Sequence, residues 1–236
     1  MKNALKSSLV VLVLISLAAG ISYVSEAPPA LVDSYRATAP KIVIVCPYER
    51  AVPTLMEAIA SSRTKKKLKP KPFMASLDGS SGVIVSKTGV ILTAAHVVRR
   101  SPVARIRTLD GQDYDVAVVA RDKGLDLALL VPIRAKPKGQ FSVARIGRQR
   151  PSGWPVYTLG NPSAMKRIIT LGVISGFDGG EYVSDAFIDF GSSGGGLFDA
   201  TTGDLLGITI EVYKGYSFSA TTDNIHRFVN KYIDAI

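Results

Sequence analysis

From Ser81 to Ala220 the chain is a succession of short runs rich in Val, Ile, Leu and Thr, separated by segments containing Gly, Pro, Asn or Asp. Runs of this length with turn residues between them favour an all-β domain over a helical one. Gly82–Ser86 and Val90–Ala94 flank a hairpin signal at Lys87-Thr88-Gly89, and Val103–Leu109 and Tyr114–Ala120 flank another at Asp110-Gly111-Gln112. Leu125–Val131 completes a first half. The stretch from Pro132 to Pro151, punctuated by Pro137, Gly139 and Gly147, is the natural crossing to a second. There the expected strands are Trp154–Leu159, Ile168–Phe177, Ala186–Phe190, Leu205–Val212 and Tyr216–Ala220. With an apolar run at Lys41–Cys46 as a further strand, these fit two six-stranded barrels, about 41–133 and 152–222. A helix over about 223–235 follows, capped by Thr222 or Asp223, with Ile225, Phe228, Val229, Tyr232 and Ile233 on its apolar face.

Three segments carry chemistry: Thr93 to His96 (Thr-Ala-Ala-His), Leu125 to Ala128 (Leu-Asp-Leu-Ala), and Gly191 to Gly195 (Gly-Ser-Ser-Gly-Gly). A serine hydroxyl is a weak nucleophile near neutral pH. It needs an imidazole to take its proton and a carboxylate to hold that imidazole in one tautomer. The sequence has two histidines, His96 and His226, and His226 sits beside Arg227 on the expected terminal helix, where a surface position suits it. His96, Asp126 and Ser193 follow one of the chain orders known to build this geometry. Ser192 competes as nucleophile on composition alone; Ser193 is preferred because it stands two after Gly191 and directly before Gly194 and Gly195. Backbone N–H groups of Gly191 and Ser193 would then receive a developing oxyanion. His96 and Asp126 belong to the first barrel and Ser193 to the second, so the site is expected in the cleft between them.

These residues resemble the trypsin-like proteases of the HtrA (Deg) type, with the chymotrypsin/trypsin-like double-barrel fold. The stretch from Ser81 to Val98 resembles that family's strand–turn–strand leading into its histidine. Asp126 to Leu130 resembles its aspartate segment, and Leu159 to Pro162, Gly172 to Gly176, Ser184 to Ala186 and Leu206 to Ile208 follow in family order. The likeness covers about residues 75–235. Ser192 replaces the usual Asn, Gly196 the usual Pro, and Phe190 stands where Pro is common. The sequence stops at Ile236, where many members begin a PDZ domain, so none is expected. The resemblance implies a serine endopeptidase acting on polypeptides, with no metal or organic cofactor. It places the pocket for the residue before the scissile bond between Phe187 and Ile188 on one side and Ile208, Thr209 and Ile210 on the other. An aliphatic residue suits that lining. Asp189 is expected to point away from Ile188 by strand alternation. Two readings compete: a non-catalytic scaffold that binds peptides, and an esterase of another fold. The latter would want Asp and His after the serine.

The N-terminus reads as a targeting segment, residues 1–24. Lys2 and Lys6 precede an apolar stretch from Leu9 to Ile21, shorter than the roughly 20 residues that span a bilayer, with Ala18 and Gly20 suited to cleavage. A cleaved signal and a membrane anchor both send the rest of the chain out of the cytoplasm. Residues 25–40 read as a linker, Val52 to Ser62 as a short helix, and Arg63 to Lys71 as a basic run that is a solvated loop or a patch for anionic lipid, cell-wall polymer or an acidic substrate. Net charge is +10, yet nucleic-acid motifs are absent and no nucleic acid is expected as partner. Cys46 is the single cysteine, so an intramolecular disulfide is excluded and a buried strand position suits it. Homo-oligomerisation is left open.

Overall fold

The computed structural model describes residues 29–48, 79–99, 101–133 and 141–232. The targeting segment, the expected helix at 52–62 and the basic run at 63–71 lie outside them. The chain divides into two compact units, Met1–Arg36 and Ala37–Ile236. The described residues of the first belong to helix α1 (Pro29–Thr38), so the stretch read as a linker is helical over its second half. Proline fits the first helical turn, where its missing N–H has no partner to lose.

The second unit holds two closed antiparallel barrels. In chain order the first comprises β1 (Ile42–Pro47), β2 (Ser80–Ile84), β3 (Ile91–Ala94), the short helix α2 (Ala95–Val98), β4 (Val103–Arg107), β5 (Asp113–Asp122) and β6 (Leu127–Pro132). Its strands close in the order β1-β2-β3-β6-β5-β4. The second comprises β7 (Pro155–Gly160), β8 (Ile168–Asp178), β9 (Glu181–Ser184), β10 (Gly196–Asp199), β11 (Leu205–Tyr213) and β12 (Tyr216–Ala220), closing as β10-β11-β12-β9-β8-β7. Helix α3 (Thr222–Tyr232) ends the described chain. Closure pairs every strand on both sides and leaves no edge.

Each interior is filled from alternating positions. Val43, Val45, Ile84, Ile91, Ala104, Ile106, Val116 and Leu130 fill the first barrel, plugged by Val97 and Val98 of α2 and by Phe141. Val156, Ile174, Tyr182, Leu197 and Leu206 form the corresponding cluster in the second. A fully buried Leu or Ile contributes roughly 1.5–3 kcal/mol through the water it sheds. Helix α3 buries Ile225 and Phe228 and leaves His226 exposed, as its spacing predicts.

Two expectations need correcting. Ala186–Phe190 is not a strand, despite its alternation. Its Phe187 carbonyl accepts hydroxyls from Thr170 (2.5 Å) and Thr158 (3.2 Å), and Phe190 N–H donates to the Asp189 carboxylate (2.7 Å), so side chains take the place of a ladder. The strands that complete the barrel are β9 and β10. Strand β10 lies directly behind the glycine-rich segment and opens on Gly196, where any Cβ would meet the Phe198 ring at 2.3 Å. Finally, the cap of α3 is Thr221, whose hydroxyl accepts from Asn224 N–H (3.4 Å), while Thr222 donates to the Leu206 carbonyl (2.7 Å).

Candidate active site

His96 is placed by a short device. Strand β3 ends at Ala94 in extended conformation, α2 begins at once, and a turn at Arg99 with φ +39° ends it. The imidazole therefore stands in the first turn, next to the segment before β6. There the Asp122 carboxylate accepts from Gly124 N–H (2.9 Å) and Leu125 N–H (3.1 Å), tightening a turn that delivers Asp126 at φ +48°. Aspartate tolerates this left-handed conformation better than most side chains. Three contacts then join the two segments. Ala95 N–H donates to the Asp126 carbonyl (2.9 Å), His96 N–H to Asp126 Oδ1 (2.8 Å), and His96 Nδ1 lies 2.6 Å from Asp126 Oδ2. A carboxylate at Nδ1 holds the proton there and leaves Nε2 as the acceptor.

Ser193 lies on the loop before β10. Its hydroxyl donates to the Ile210 carbonyl at 3.3 Å, the hydrogen bond recorded for it among the described residues. The neighbouring Ser192 is buried at 4% exposure, and its Oγ accepts from Asp189 N–H (3.3 Å), which turns it into the loop. The two serines, alike in composition, differ in burial: Ser192 is buried and Ser193 half-buried.

The backbone of this loop is almost fully paired. Ser163 N–H holds the Phe190 carbonyl (2.6 Å), the Ser81 hydroxyl holds that of Gly191 (2.7 Å), Gly195 N–H that of Ser192 (2.8 Å), and Ser81 N–H that of Ser193 (2.9 Å). On the donor side, Phe190 N–H goes to Asp189 Oδ1, Ser192 N–H to the Asp189 carbonyl (2.9 Å) and Gly194 N–H to the Thr209 carbonyl (2.8 Å). Gly191 N–H and Ser193 N–H have no partner among the described residues. Buried or half-buried amides are nearly always paired, so two neighbours left open mark a place for an acceptor. The turn over 189–192, with Gly191 at φ +93°, has the type II shape. Since the peptide is trans, drawing the Phe190 carbonyl towards Ser163 aims Gly191 N–H the opposite way. Glycine is required here twice over: a Cβ at Gly191 would lie 2.5 Å from the Asn161 carbonyl oxygen, and one at Gly194 would lie 2.2 Å from that of Ser81.

Beside this loop is a small pocket lined by Thr158, Leu159, Gly160, Pro162, Ile168, Thr170, Phe187, Ile188, Ser192 and Thr209. Of the five residues expected to form it, Phe187, Ile188 and Thr209 are brought together. Ile208 is fully buried in the barrel, and Ile210 contributes its carbonyl to Ser193 instead. The β7 and β8 residues were not read as lining because they lie about 23 to 35 positions from Ser193 in the chain, and only closure of the barrel brings them beside its loop. Asp189 is absent from the lining. Its carboxylate is held by the Ser163 hydroxyl (3.0 Å) and Phe190 N–H (2.7 Å). An acid that sequence reading did not single out, Glu181 on β9, has its carboxyl pushed up by burial and by the carboxylates of Glu211, Asp126 and Asp178.

Comparison with known proteins agrees with this geometry. The family model described as a trypsin-like peptidase domain matches residues 80–208. The chain belongs to the trypsin-like peptidase family. It is 34% identical over 165 residues to serine protease HTRA1 of Xenopus tropicalis, an overlap covering 63% of this chain and 35% of that protein. It is 33% identical over 170 residues to the mitochondrial serine protease HTRA2 of Bos taurus, covering 66% and 36%. Among solved structures it is similar to the serine endoprotease from Yersinia pestis, with TM-score 0.67 and 26% identity, covering 89% of this chain and 68% of that one. The chain spans about a third of the length of the curated relatives it matches. As a trypsin-like peptidase similar to HtrA proteins it has the double-barrel architecture, and His96, Asp126, Gly191 and Ser193 fall inside the matched span, while Thr209 and Ile210 lie just beyond it.

Proposed function

We propose that this trypsin-like peptidase is a serine endopeptidase that cleaves unfolded polypeptides through an acyl-enzyme. The observation that carries the reading is the pair of open amides at Gly191 and Ser193 on the loop of a serine, in a barrel whose partner holds a His96–Asp126 pair at 2.6 Å. His96 Nε2 takes the Ser193 proton as Oγ attacks the peptide carbonyl, and Asp126 stabilises the imidazolium. The two amides receive the oxyanion, His96 returns the proton to the leaving amine, and water releases the acyl group. Among the described residues no helix is long and apolar enough to cross a membrane, and the candidate leader lies outside them. An extracytoplasmic enzyme, released or tethered, fits the charged and apolar pattern of residues 1–24.

Cleavage follows small or medium aliphatic residues. Ile168, Ile188 and Leu159 line the pocket with threonine hydroxyls already bonded to one another and to a carbonyl, and none of the described residues that line it carries a carboxylate. An unpaired cation buried there would cost several kcal/mol. A fluorophosphonate probe tests the reading directly: the wild-type protein takes up label and Ser193→Ala does not. Equal labelling of the two would remove Ser193 as nucleophile, and an unlabelled wild type would favour the peptide-binding scaffold. Mass spectrometry of cleaved denatured casein tests the pocket, where a dominant Lys or Arg before the cut would overturn it.

A further inference from the structure

Ser81 lies in the first barrel, on β2, and is fully buried, yet its hydroxyl proton and its backbone N–H both go to the nucleophile loop of the second. Its hydroxyl makes three contacts: to the Gly191 carbonyl (2.7 Å), to Asn161 N–H (2.8 Å) and to Asn161 Nδ2 (3.1 Å). A hydroxyl offers one proton and two lone pairs. Asn161 N–H is a backbone donor, and the Asn161 amide is oriented by Oδ1 accepting from Arg167 N–H (3.1 Å) and Nδ2 donating to the Val43 carbonyl (3.2 Å). Both lone pairs of Ser81 are therefore occupied, and its proton has one destination, Gly191 O. Its backbone N–H meanwhile donates to Ser193 O (2.9 Å), and its carbonyl accepts the Thr93 hydroxyl (2.7 Å).

The consequence is geometric. The peptide that carries Ser193 N–H lies between two peptides whose carbonyls are both held by Ser81. The peptide that carries Gly191 N–H adjoins the first of these. Ser81 thus sets the planes on both sides of the Ser193 amide and on one side of the Gly191 amide, from a strand that pairs with β3 (Val83 with Leu92) and so shares its frame with His96. We propose that Ser81 is a positioning residue for the oxyanion site, acting through Gly191 and Ser193 and tying their aim to the barrel that carries the histidine. This rests on the serine-protease reading above. Oxyanion donors act only where charge develops, so misaiming them slows the chemical step more than it weakens substrate binding.

The test compares steady-state hydrolysis of fluorescein-labelled casein by the full chain and three variants, each with its melting temperature. Ser81→Ala is expected to lower kcat on the order of 10- to 100-fold, somewhat less than loss of a whole oxyanion donor, with KM within about twofold. Tyr157→Phe is the control. It removes a different buried hydrogen bond, between the Tyr157 and Thr38 hydroxyls (2.9 Å), and should lower the melting temperature while leaving kcat in place. Ser81→Cys keeps the side-chain shape but substitutes a weak, longer donor, and should fall between wild type and Ser81→Ala. A Ser81→Ala protein with wild-type kcat, or with only KM changed, would overturn the proposal. Should Ser81→Ala fail to fold, Ser81→Cys decides: folded with wild-type kcat, or itself unfolded, it makes Ser81 a purely structural residue. A wild type that neither cleaves casein nor takes up fluorophosphonate would instead bring down the protease reading with it.

Discussion

The two barrels have the same strand number and closure but are furnished differently inside. Among the described residues, barrel one buries few polar side chains: Ser81, Thr93 and Thr108. Barrel two and its connections bury many more, among them Thr158, Asn161, Ser184, Ser192, Asp199, Asp204, Thr209, Ser217 and Ser219. The contrast tracks how each half presents its share of the site. Barrel one delivers His96 and Asp126 by abrupt strand-to-helix and turn-to-strand changes, each settled by neighbours within a few residues. Barrel two delivers Ser193 on a loop with positive φ at Gly191 and Gly194, held by hydrogen bonds whose partners lie far away in sequence. A loop with so little apolar burial needs polar ties to stay in one shape.

The comparison can be pressed by removing one element at a time. The largest effect is expected in barrel two, where Ser193→Ala should reduce kcat by about a million-fold without altering the melt, and Ser192→Ala should be far milder. Activity that survives in Ser193→Ala but not in Ser192→Ala would reverse the assignment of the two serines. Next comes the barrel-one pair: Asp126→Asn should cost on the order of ten-thousand-fold, since the amide no longer holds the useful imidazole tautomer. A loss under about tenfold would mean that His96 does not depend on it.

Stability should respond next, and chiefly through barrel two. The Asp199 carboxylate is fully buried, paired with Arg150 (2.8 Å) and capped by Thr201 N–H (2.8 Å). Burial works to raise its pKa, but these bonds outweigh burial and hold it below the ordinary carboxylate value. Breaking a buried pair by removing one partner costs about 3–5 kcal/mol, so Asp199→Ala should bring a large drop in the urea midpoint at neutral pH. A folded-state pKa below the unfolded one contributes stability that is present above the unfolded value of about 3.9 and is lost as pH falls below it. The gap between wild type and variant should therefore narrow on acidification. A gap that widened in acid would show that the carboxylate contributes through shape and not charge.

The smallest expected effect separates conformational strain from contact. Gly191→Ala should slow turnover by about 10²- to 10³-fold, the size expected for one oxyanion donor, because its Cβ would press on the Asn161 carbonyl. Gly153→Ala, also at positive φ but with open space around it, should cost about 1 kcal/mol of stability and no rate. Equal rate losses in both would mean that strain anywhere in barrel two reaches the site.

What could be read from the chain alone was local in its physics. The segments around His96 and Asp126, most first-half strands and the amphipathic α3 depend on periodicity and turn chemistry that span a few residues, and these were legible. The order of His96, Asp126 and Ser193 also carried the family resemblance and with it the double barrel. The tertiary structure decided matters where a distant partner overrides a local preference. Alternation made Ala186–Phe190 look like a strand, but Thr158 and Thr170 claim its carbonyl. Ile208 looked like pocket lining until closure of the barrel buried it. Ser81 looked like one more strand residue, yet it is the hydroxyl that holds the Gly191 carbonyl from 110 positions away. Hydrogen-bond partners across such separations leave no periodic trace in a sequence, because either end is satisfied only once the barrels have closed and met.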